Sequence, residues 1–239
     1  MPLFRIGDRL HYYAHVPKCA GSSVEAYLAR RFGALAFVNT RFLADPEEQR
    51  WTKSSPQHLP LDAFHKLIPA DWIASSFAVV RHPLKRLVSA FQFQVEVEKT
   101  VAPLWTIDEW FDDWLGRKDA DPFRYDNHIR PMVELVPEGA AFFRMEEGLA
   151  PVVAHLDHLA GNTDGARTIA PENVRKKKMA GEAQRLTPSP ETRARIADFY
   201  AEDFRRFGYA IDDVPGPAHP TPKPTGIKAL VGALTGRRG

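Results

Sequence analysis

One stretch near the start of the chain, HVPKCAGSS at residues 15–23, constrains the fold more than any other feature. The apolar residues 10–16 predict a β-strand, and residues 22–31 carry apolar side chains at helical spacing and predict a helix. The loop between them, 17–21, is short and rich in small residues. A strand, a tight loop and a helix N-terminus together present backbone N–H groups and the positive end of the helix dipole to an anion. The segment therefore predicts an α/β fold with an anion site at the end of a strand.

The loop also carries its own polar groups. Lys18 adds a positive charge, and Ser22 and Ser23 add hydroxyl donors. In the Walker A pattern of P-loop proteins, G-x-x-x-x-G-K-[ST], the lysine ends a longer glycine loop. Here the lysine comes first and a single glycine, Gly21, follows it. The pattern therefore indicates a phosphate-binding loop of a different kind.

A second strand–helix junction follows at FAVVRHPLKRLVSAF, residues 77–91. Its first four residues form a continuous apolar run that predicts a strand, and Pro83 stands where a helix would begin. Apolar residues then recur at helical spacing and predict a buried helix face. Arg81 ends the strand and Ser89 lies about two turns into the helix, so the two side chains could converge on one anionic group.

Together the two segments resemble the donor-binding motifs of sulfotransferases that use 3′-phosphoadenosine 5′-phosphosulfate, PAPS. Residues 17–23, PKCAGSS, are similar to the 5′-phosphosulfate loop of that superfamily, P-K-[TCS]-[AG]-[GS]-[TS]-[TS]. Arg81 and Ser89 match the Arg and Ser of its 3′-phosphate motif. The resemblance is nearest to the carbohydrate sulfotransferases, the branch that contains the heparan sulfate 2-O- and chondroitin 4-O-transferases, and it extends over residues 10–209. Unlike the Golgi members, this chain lacks paired cysteines, and we expect no membrane anchor.

The resemblance implies a donor site. Its residues are Pro17, Lys18, Cys19, Ala20, Gly21, Ser22 and Ser23 in the loop, Arg81 and Ser89 at the second junction, and Arg175 and Lys176 in the basic run at 173–178. In the resembling enzymes the lysine contacts the sulfuryl group and the leaving oxygen, and a late basic loop closes over the adenosine and the 3′-phosphate. A solvated basic face is the alternative for that run. Cys19 is expected to shape the loop, because donor and acceptor that bind together need no transfer through a thiol.

The resemblance also implies a catalytic base. His58 lies in a turn-rich segment at a position similar to the family segment with a catalytic histidine, which assigns it the acceptor proton. A purely structural histidine is the alternative, with Glu25 and His128 in reserve as bases. In the polar cluster DNHIRP, Asn127, His128 and Arg130 are predicted to contact the acceptor, although packing and turn chemistry explain the cluster equally well.

Composition limits the remaining possibilities. With 239 residues, 44% of them hydrophobic, the chain is long enough for one sizeable α/β core. A net charge of +2 argues against nucleic-acid binding. One cysteine excludes an internal disulfide and favours a reducing compartment, so we expect a cytoplasmic protein. No segment has the length of a transmembrane helix, and no His or Cys pair has zinc-site spacing, so we expect no bound metal.

Predicted strands and helices alternate along the chain, which favours a mostly parallel sheet covered on both sides. Arg86 is predicted to be a solvated or paired surface charge, and Trp110 and Trp114 to lie in the core, since they stand at helical spacing. Further predicted elements are strands at 34–42 and 140–144, helices at 61–67, 83–99, 146–159 and 190–207, and a helix that begins at a capping box of Thr106 and Glu109.

We therefore predict a single α/β domain over residues 1–213, with a P-loop-like central parallel sheet flanked by helices. Residues 214–239 are predicted to be a flexible Pro-rich linker and basic tail, either solvated or in weak contact with a membrane or partner. The predicted reaction is sulfuryl transfer from PAPS to a hydroxyl acceptor, a saccharide or glycolipid. A P-loop small-molecule kinase and a catalytically silent nucleotide- or glycan-binding module are the alternatives.

Overall fold

A four-stranded sheet forms the centre of the computed structural model, which describes residues 1–172 and 185–211. The strands lie in the order β1 (Leu3–Ile6), β2 (Arg9–Ala14), β3 (Ile73–Val80) and β4 (Ala141–Arg144). β1 pairs with β2 in antiparallel fashion, whereas β2 with β3 and β3 with β4 are parallel. The predicted α/β class is therefore confirmed, with an antiparallel strand at one edge of the parallel sheet.

Helices connect and cover the strands. The α-helices are α1 (Gly21–Phe32), α2 (Leu61–Leu67), α3 (Pro83–Glu96), α4 (Ile107–Arg117), α5 (Ala150–Ala160), α6 (Pro190–Phe199) and α7 (Ala201–Phe207). Short 3₁₀ turns occupy Glu47–Gln49, Pro56–His58, Ala70–Trp72, Arg124–Asn127, Met132–Glu134 and Met145–Glu147. Of the helices in the described ranges, none is long and apolar enough to cross a membrane.

Two hydrophobic clusters build the core. The first surrounds the sheet and α1, and the second joins α3, α4 and α6. Trp110 and Trp114 belong to the second cluster and are 0% and 6% exposed, which confirms their predicted place in the core. The capping box of α4 is also confirmed, because the Thr106 hydroxyl accepts from the Glu109 N–H while the Glu109 carboxylate accepts from the Thr106 N–H.

Three predicted elements were wrong in part. The segment 34–42 is not a strand: Ala36 makes an isolated bridge with Leu3, and β1, which the sequence analysis did not predict, takes the edge of the sheet. The helix predicted at 146–159 begins only at Ala150. The helix predicted at 190–207 is divided at Tyr200, whose backbone leaves the helical region. The predicted tail at 214–239 lies outside the described residues.

The parallel pairing decides where the two predicted phosphate motifs meet. Ala14, the last residue of β2, is in register with Ala78, and Val80, the last residue of β3, with Arg144. The carboxyl ends of these strands therefore share one edge of the sheet, where ligands bind in open α/β folds. As a result, the loop after β2 and the start of α3 lie side by side.

Candidate active site

The loop between β2 and α1 has an unusual backbone. Lys18 and Ala20 adopt left-handed conformations, with φ of 66° and 61°. Such conformations cost about 1–3 kcal/mol each in residues other than glycine, and they persist where the surroundings enforce them. A turn of this kind curls successive N–H groups toward one side and forms an anion-binding concavity. The backbone thus supports the anion site predicted from the sequence.

Gly21 is required by its neighbour, His15. A Cβ atom on Gly21 would lie 1.8 Å from His15 Nε2, so no other residue fits at the start of α1 without displacing the imidazole. On its other side, His15 Nδ1 lies 2.5 Å from Glu25 Oε1. Burial lowers the pKa of His15, which favours a neutral ring that donates its Nδ1–H to the Glu25 carboxylate. Glu25, a reserve candidate for the base, is thereby engaged inside α1.

Lys18 and Arg81 come together at the loop. Arg81 Nη1 donates to the carbonyl oxygen of Lys18 at 3.4 Å, and Lys18 Nζ stands 3.7 Å from the centre of the Phe93 ring. Burial, and then the nearby charge of Arg81, lower the pKa of Lys18 to about 8. Two positive side chains at one loop favour the binding of an anion there. Ser89 is half-buried in α3, and among the described residues no hydrogen bond joins it to Arg81.

The two loop serines differ in their surroundings. Ser22 is exposed at the start of α1, where its hydroxyl is available to a ligand. Ser23 is buried, and its Oγ accepts from the Glu172 N–H at 2.8 Å. This bond ties α1 to the segment just before the predicted basic run. Arg175 and Lys176 themselves lie outside the described residues.

His58 is held by a buried carboxylate. Its Nδ1 lies 2.7 Å from Asp126 Oδ2, while the N–H and hydroxyl of Ser55 also donate to Asp126. Burial alone would raise the pKa of Asp126, but the charge and hydrogen bonds of these partners lower it overall. An ionised Asp126 fixes the proton of His58 on Nδ1 and leaves Nε2 able to accept one, which is how a carboxylate orients a general base.

Two further histidines contact His58. The ring centres of His15 and His128 lie 4.8 and 5.1 Å from that of His58, each in an edge-to-face arrangement. Because His15 also packs on Gly21, the chain of contacts runs from the donor loop to His58. The structure therefore brings the predicted base and the predicted donor loop into one buried cluster.

The predicted acceptor residues make internal contacts. The Asn127 amide donates to the His58 carbonyl oxygen at 2.9 Å and accepts from Arg130 Nε. His128 Nδ1 lies 3.1 Å from Gln94 Nε2, and burial lowers the pKa of His128 well below its usual range. Arg130 also pairs with Glu134. These contacts favour the packing explanation for the cluster, and its contact with an acceptor stays a prediction.

Comparison with known proteins identifies the family. Residues 7–210 match the Sulfotransferase family. The chain belongs to that family. It is therefore an enzyme of the PAPS-dependent transferase class. A sulfotransferase from Alicyclobacillus acidocaldarius, known from its crystal structure, shares 16% identity over 82% of this chain and 93% of that chain, with a TM-score of 0.42. No curated protein matches the chain.

Arg86 is a residue of this sulfotransferase that the sequence analysis misjudged. Arg86 is 1% exposed, so the prediction of a surface charge was wrong. Nε donates to the Pro17 carbonyl oxygen at 3.0 Å and Nη2 to that of His128 at 3.1 Å. A signal was available: Arg86 stands three residues after Pro83 and four before Ala90, on the buried stripe of α3.

Asp126 and Ser55 were also missed as site residues, because the bonds that join them to each other and to His58 span about 70 positions of sequence. Cys19 is fully buried, and burial raises the pKa of its thiol to about 12, which disfavours the thiolate that a nucleophile requires.

A metal ion would find one group of donors in the described part of the sulfotransferase. His58, Asp126 and His128 offer ligand atoms within 4.8 Å of one another, and all three are buried. Nδ1 of His58 and Nδ1 of His128 are already engaged, with Asp126 and Gln94 respectively. Catalysis without a metal stays a prediction.

We expect Gly21→Ala to lower the free energy of unfolding by about 1–3 kcal/mol, because the new methyl group must displace His15 from Glu25. Chemical denaturation measures the change. Gly116→Ala is the matched control: it lies in α4 with open space around its Cβ position, so we expect that variant to be up to about 1 kcal/mol more stable than the parent. Equal stability of the Gly21→Ala variant and the parent would contradict the close packing of Gly21 against His15.

The lowered pKa of Lys18 predicts a pH-dependent donor site. The ammonium form attracts phosphate, so affinity for the product nucleotide 3′-phosphoadenosine 5′-phosphate, PAP, is full below a pH of about 8 and declines above it. Calorimetric titrations across this range measure the decline. Lys18→Arg is the control, because a guanidinium stays charged to a pH above about 12 and its curve should remain flat. If PAP affinity depends on pH in the same way for the parent and for Lys18→Arg, Lys18 does not contact the phosphates.

Proposed function

We propose that this sulfotransferase moves the sulfuryl group of PAPS to a hydroxyl group of a carbohydrate, with His58 as the base. The observation that carries the proposal is the continuous contact from the donor loop to the base: Gly21 packs on His15, and His15 on His58, which Asp126 orients. A base so close to the donor loop is what a direct transfer between two bound substrates requires.

In this proposal the loop amides, Ser22 and Ser23 hold the 5′-phosphosulfate, and Lys18 neutralises the charge that develops on the leaving phosphate. Arg81 and Ser89 hold the 3′-phosphate, with Arg175 and Lys176 over the adenosine. Sulfuryl transfer, like phosphoryl transfer, spreads charge over the transferred group, so positioning and electrostatic stabilisation supply most of the catalysis.

The bonds change in a single displacement. The acceptor oxygen forms a bond to sulfur as the bond between sulfur and the 5′-phosphate oxygen breaks. The acceptor proton passes to Nε2 of His58, and Asp126 stabilises the imidazolium that results. A sugar hydroxyl is a poor nucleophile at neutral pH, which is why a base is needed.

The two alternatives considered from the sequence carry less support. The family match extends over most of the chain and argues against a P-loop kinase. A catalytically silent binding module would have no use for an oriented histidine beside the donor loop. Turnover with a hydroxylated acceptor tests that alternative directly.

We expect the protein to bind PAP at least about tenfold more tightly than AMP, because a charge-assisted hydrogen bond to the 3′-phosphate contributes about 1.5–3 kcal/mol. Isothermal calorimetry measures both affinities. Arg81→Ala should reduce PAP binding toward that of AMP, whereas Arg5→Ala, an exposed arginine on β1, should leave it unchanged. Equal affinities of the parent for PAP and AMP would refute the donor assignment.

We expect His58→Ala to lower turnover by about 10²–10⁴-fold while PAP affinity stays near that of the parent, because the base acts on the acceptor and not on the donor. Steady-state kinetics with a saccharide acceptor, together with calorimetry, separate the two effects. His65→Ala changes an exposed histidine in α2 and serves as the control. Undiminished turnover in His58→Ala, or a loss of turnover that follows a loss of PAP binding, would assign the base to another residue.

A further inference from the structure

A cavity of about 940 Å³ opens beside the buried histidine cluster. Its walls come from two segments, 42–53 and 120–126, from Gln94 near the carboxyl end of α3, and from Glu98 and Thr100 just after that helix. Asp126 and Gln94 lie in the wall, and they contact His58 and His128 respectively. The cavity is of the size that proteins use for small ligands, and through Asp126 and Gln94 its wall directly adjoins His58 and His128.

The charges in the cavity wall do not suit a polyanion. Its cations are Arg50, Lys53 and Arg124, and its carboxylates are Glu47, Glu98, Asp121 and Asp126. Two of the cations are engaged within the protein: Arg50 donates to backbone carbonyl oxygens, and Arg124 pairs with Asp113 at 3.2 Å. The wall therefore offers no excess of positive charge to a chain of carboxylated or sulfated sugars.

An aromatic surface lines the same cavity. Trp51 stands in the wall and is 58% exposed, and its ring centre lies 6.1 Å from that of Phe37. Phe123 and Tyr125 lie in the wall as well. Pyranose rings present C–H groups that pack on such rings, while their hydroxyls reach polar groups nearby. A large exposed indole within a cavity is thus suited to a sugar.

Glu98 is a carboxylate of the wall near the donor loop: its N–H donates to the carbonyl oxygen of Phe93 at 3.1 Å, and Lys18 Nζ stands over the Phe93 ring. Burial and the charge of Asp126 raise the pKa of Glu98, whereas the charge of Lys18 lowers it, so the carboxyl group lies within the electrostatic reach of both halves of the site. A carboxylate accepts hydrogen bonds from sugar hydroxyls and repels other carboxylates. Glu98 therefore favours a neutral acceptor at the end of the cavity nearest Lys18.

We propose that this cavity is the acceptor site and that it selects an uncharged saccharide, which stacks on Trp51 and donates hydroxyl hydrogen bonds to Glu98. The inference rests on the proposed function and specifies its acceptor. It differs from what the resemblance to glycosaminoglycan transferases alone would suggest, because heparan and chondroitin chains carry a carboxylate on alternate sugars.

Binding of two oligosaccharides of equal length to the full chain saturated with PAP tests the inference. The neutral probe is chitotetraose and the charged probe is a heparosan tetrasaccharide, both measured by calorimetry. We expect chitotetraose to bind at least about tenfold more tightly, and Trp51→Ala to reduce its affinity by about tenfold. Trp72→Ala removes a similarly exposed indole outside the cavity wall, so it should change the affinity less than about twofold.

A charge reversal completes the design. Glu98→Lys should reduce or invert the ratio of chitotetraose affinity to heparosan affinity, because the carboxylates of heparosan would then meet a cation. Tighter binding of the heparosan tetrasaccharide to the parent protein, or an unchanged affinity for chitotetraose in Trp51→Ala, would overturn the inference. PAP binding separates this failure from failure of the proposed function: if PAP binds and the saccharide results fail, only the acceptor assignment falls, and if PAP does not bind, both fall.

Discussion

The buried guanidinium of Arg86 holds the two halves of the site at a fixed separation. It donates to the Pro17 carbonyl oxygen in the donor loop and to the His128 carbonyl oxygen beside the base. A buried charge is costly unless its hydrogen bonds are made, so the loop and the segment around His128 cannot separate without leaving this guanidinium unsatisfied. The donor loop and the segment around His128 are thus held together by the same buried side chain, Arg86.

His15, His58 and His128 pack together near Arg86, but the environments of their rings differ. Burial lowers the pKa of His15 and of His128, so both rings are neutral at ordinary pH. His58, between them, is the ring whose partner is the ionised Asp126. A proton that arrives on His58 is therefore stabilised by a carboxylate and meets no repulsion from its two neighbours. His58 is thus the ring that lies between two neutral neighbours and bonds Asp126.

Local signals in the sequence predicted the donor loop, the second strand–helix junction and the capping box of α4, because each is encoded within about ten adjacent residues. Contacts between residues that lie far apart in the sequence were not predicted. Asp126 bonds to His58 across 68 positions; β1, which was not predicted, takes an edge of the sheet, and residues 34–42 do not form the expected strand. Arg86 was predicted to be exposed because arginine side chains usually are. Its position among the buried residues of α3 was the stronger signal.

The position of Lys18 over the Phe93 ring has a consequence for how the site receives its donor. An aromatic ring holds an ammonium through its quadrupole, which is a weaker attraction than that of a carboxylate. An arriving phosphate therefore has little to displace, and most of its attraction to the lysine contributes to binding. Had an acidic side chain neutralised Lys18, each binding event would first have to break an ion pair. Because Lys18 rests on an aromatic ring, its ammonium group stays at the donor loop and can move to a bound phosphate at little energetic cost.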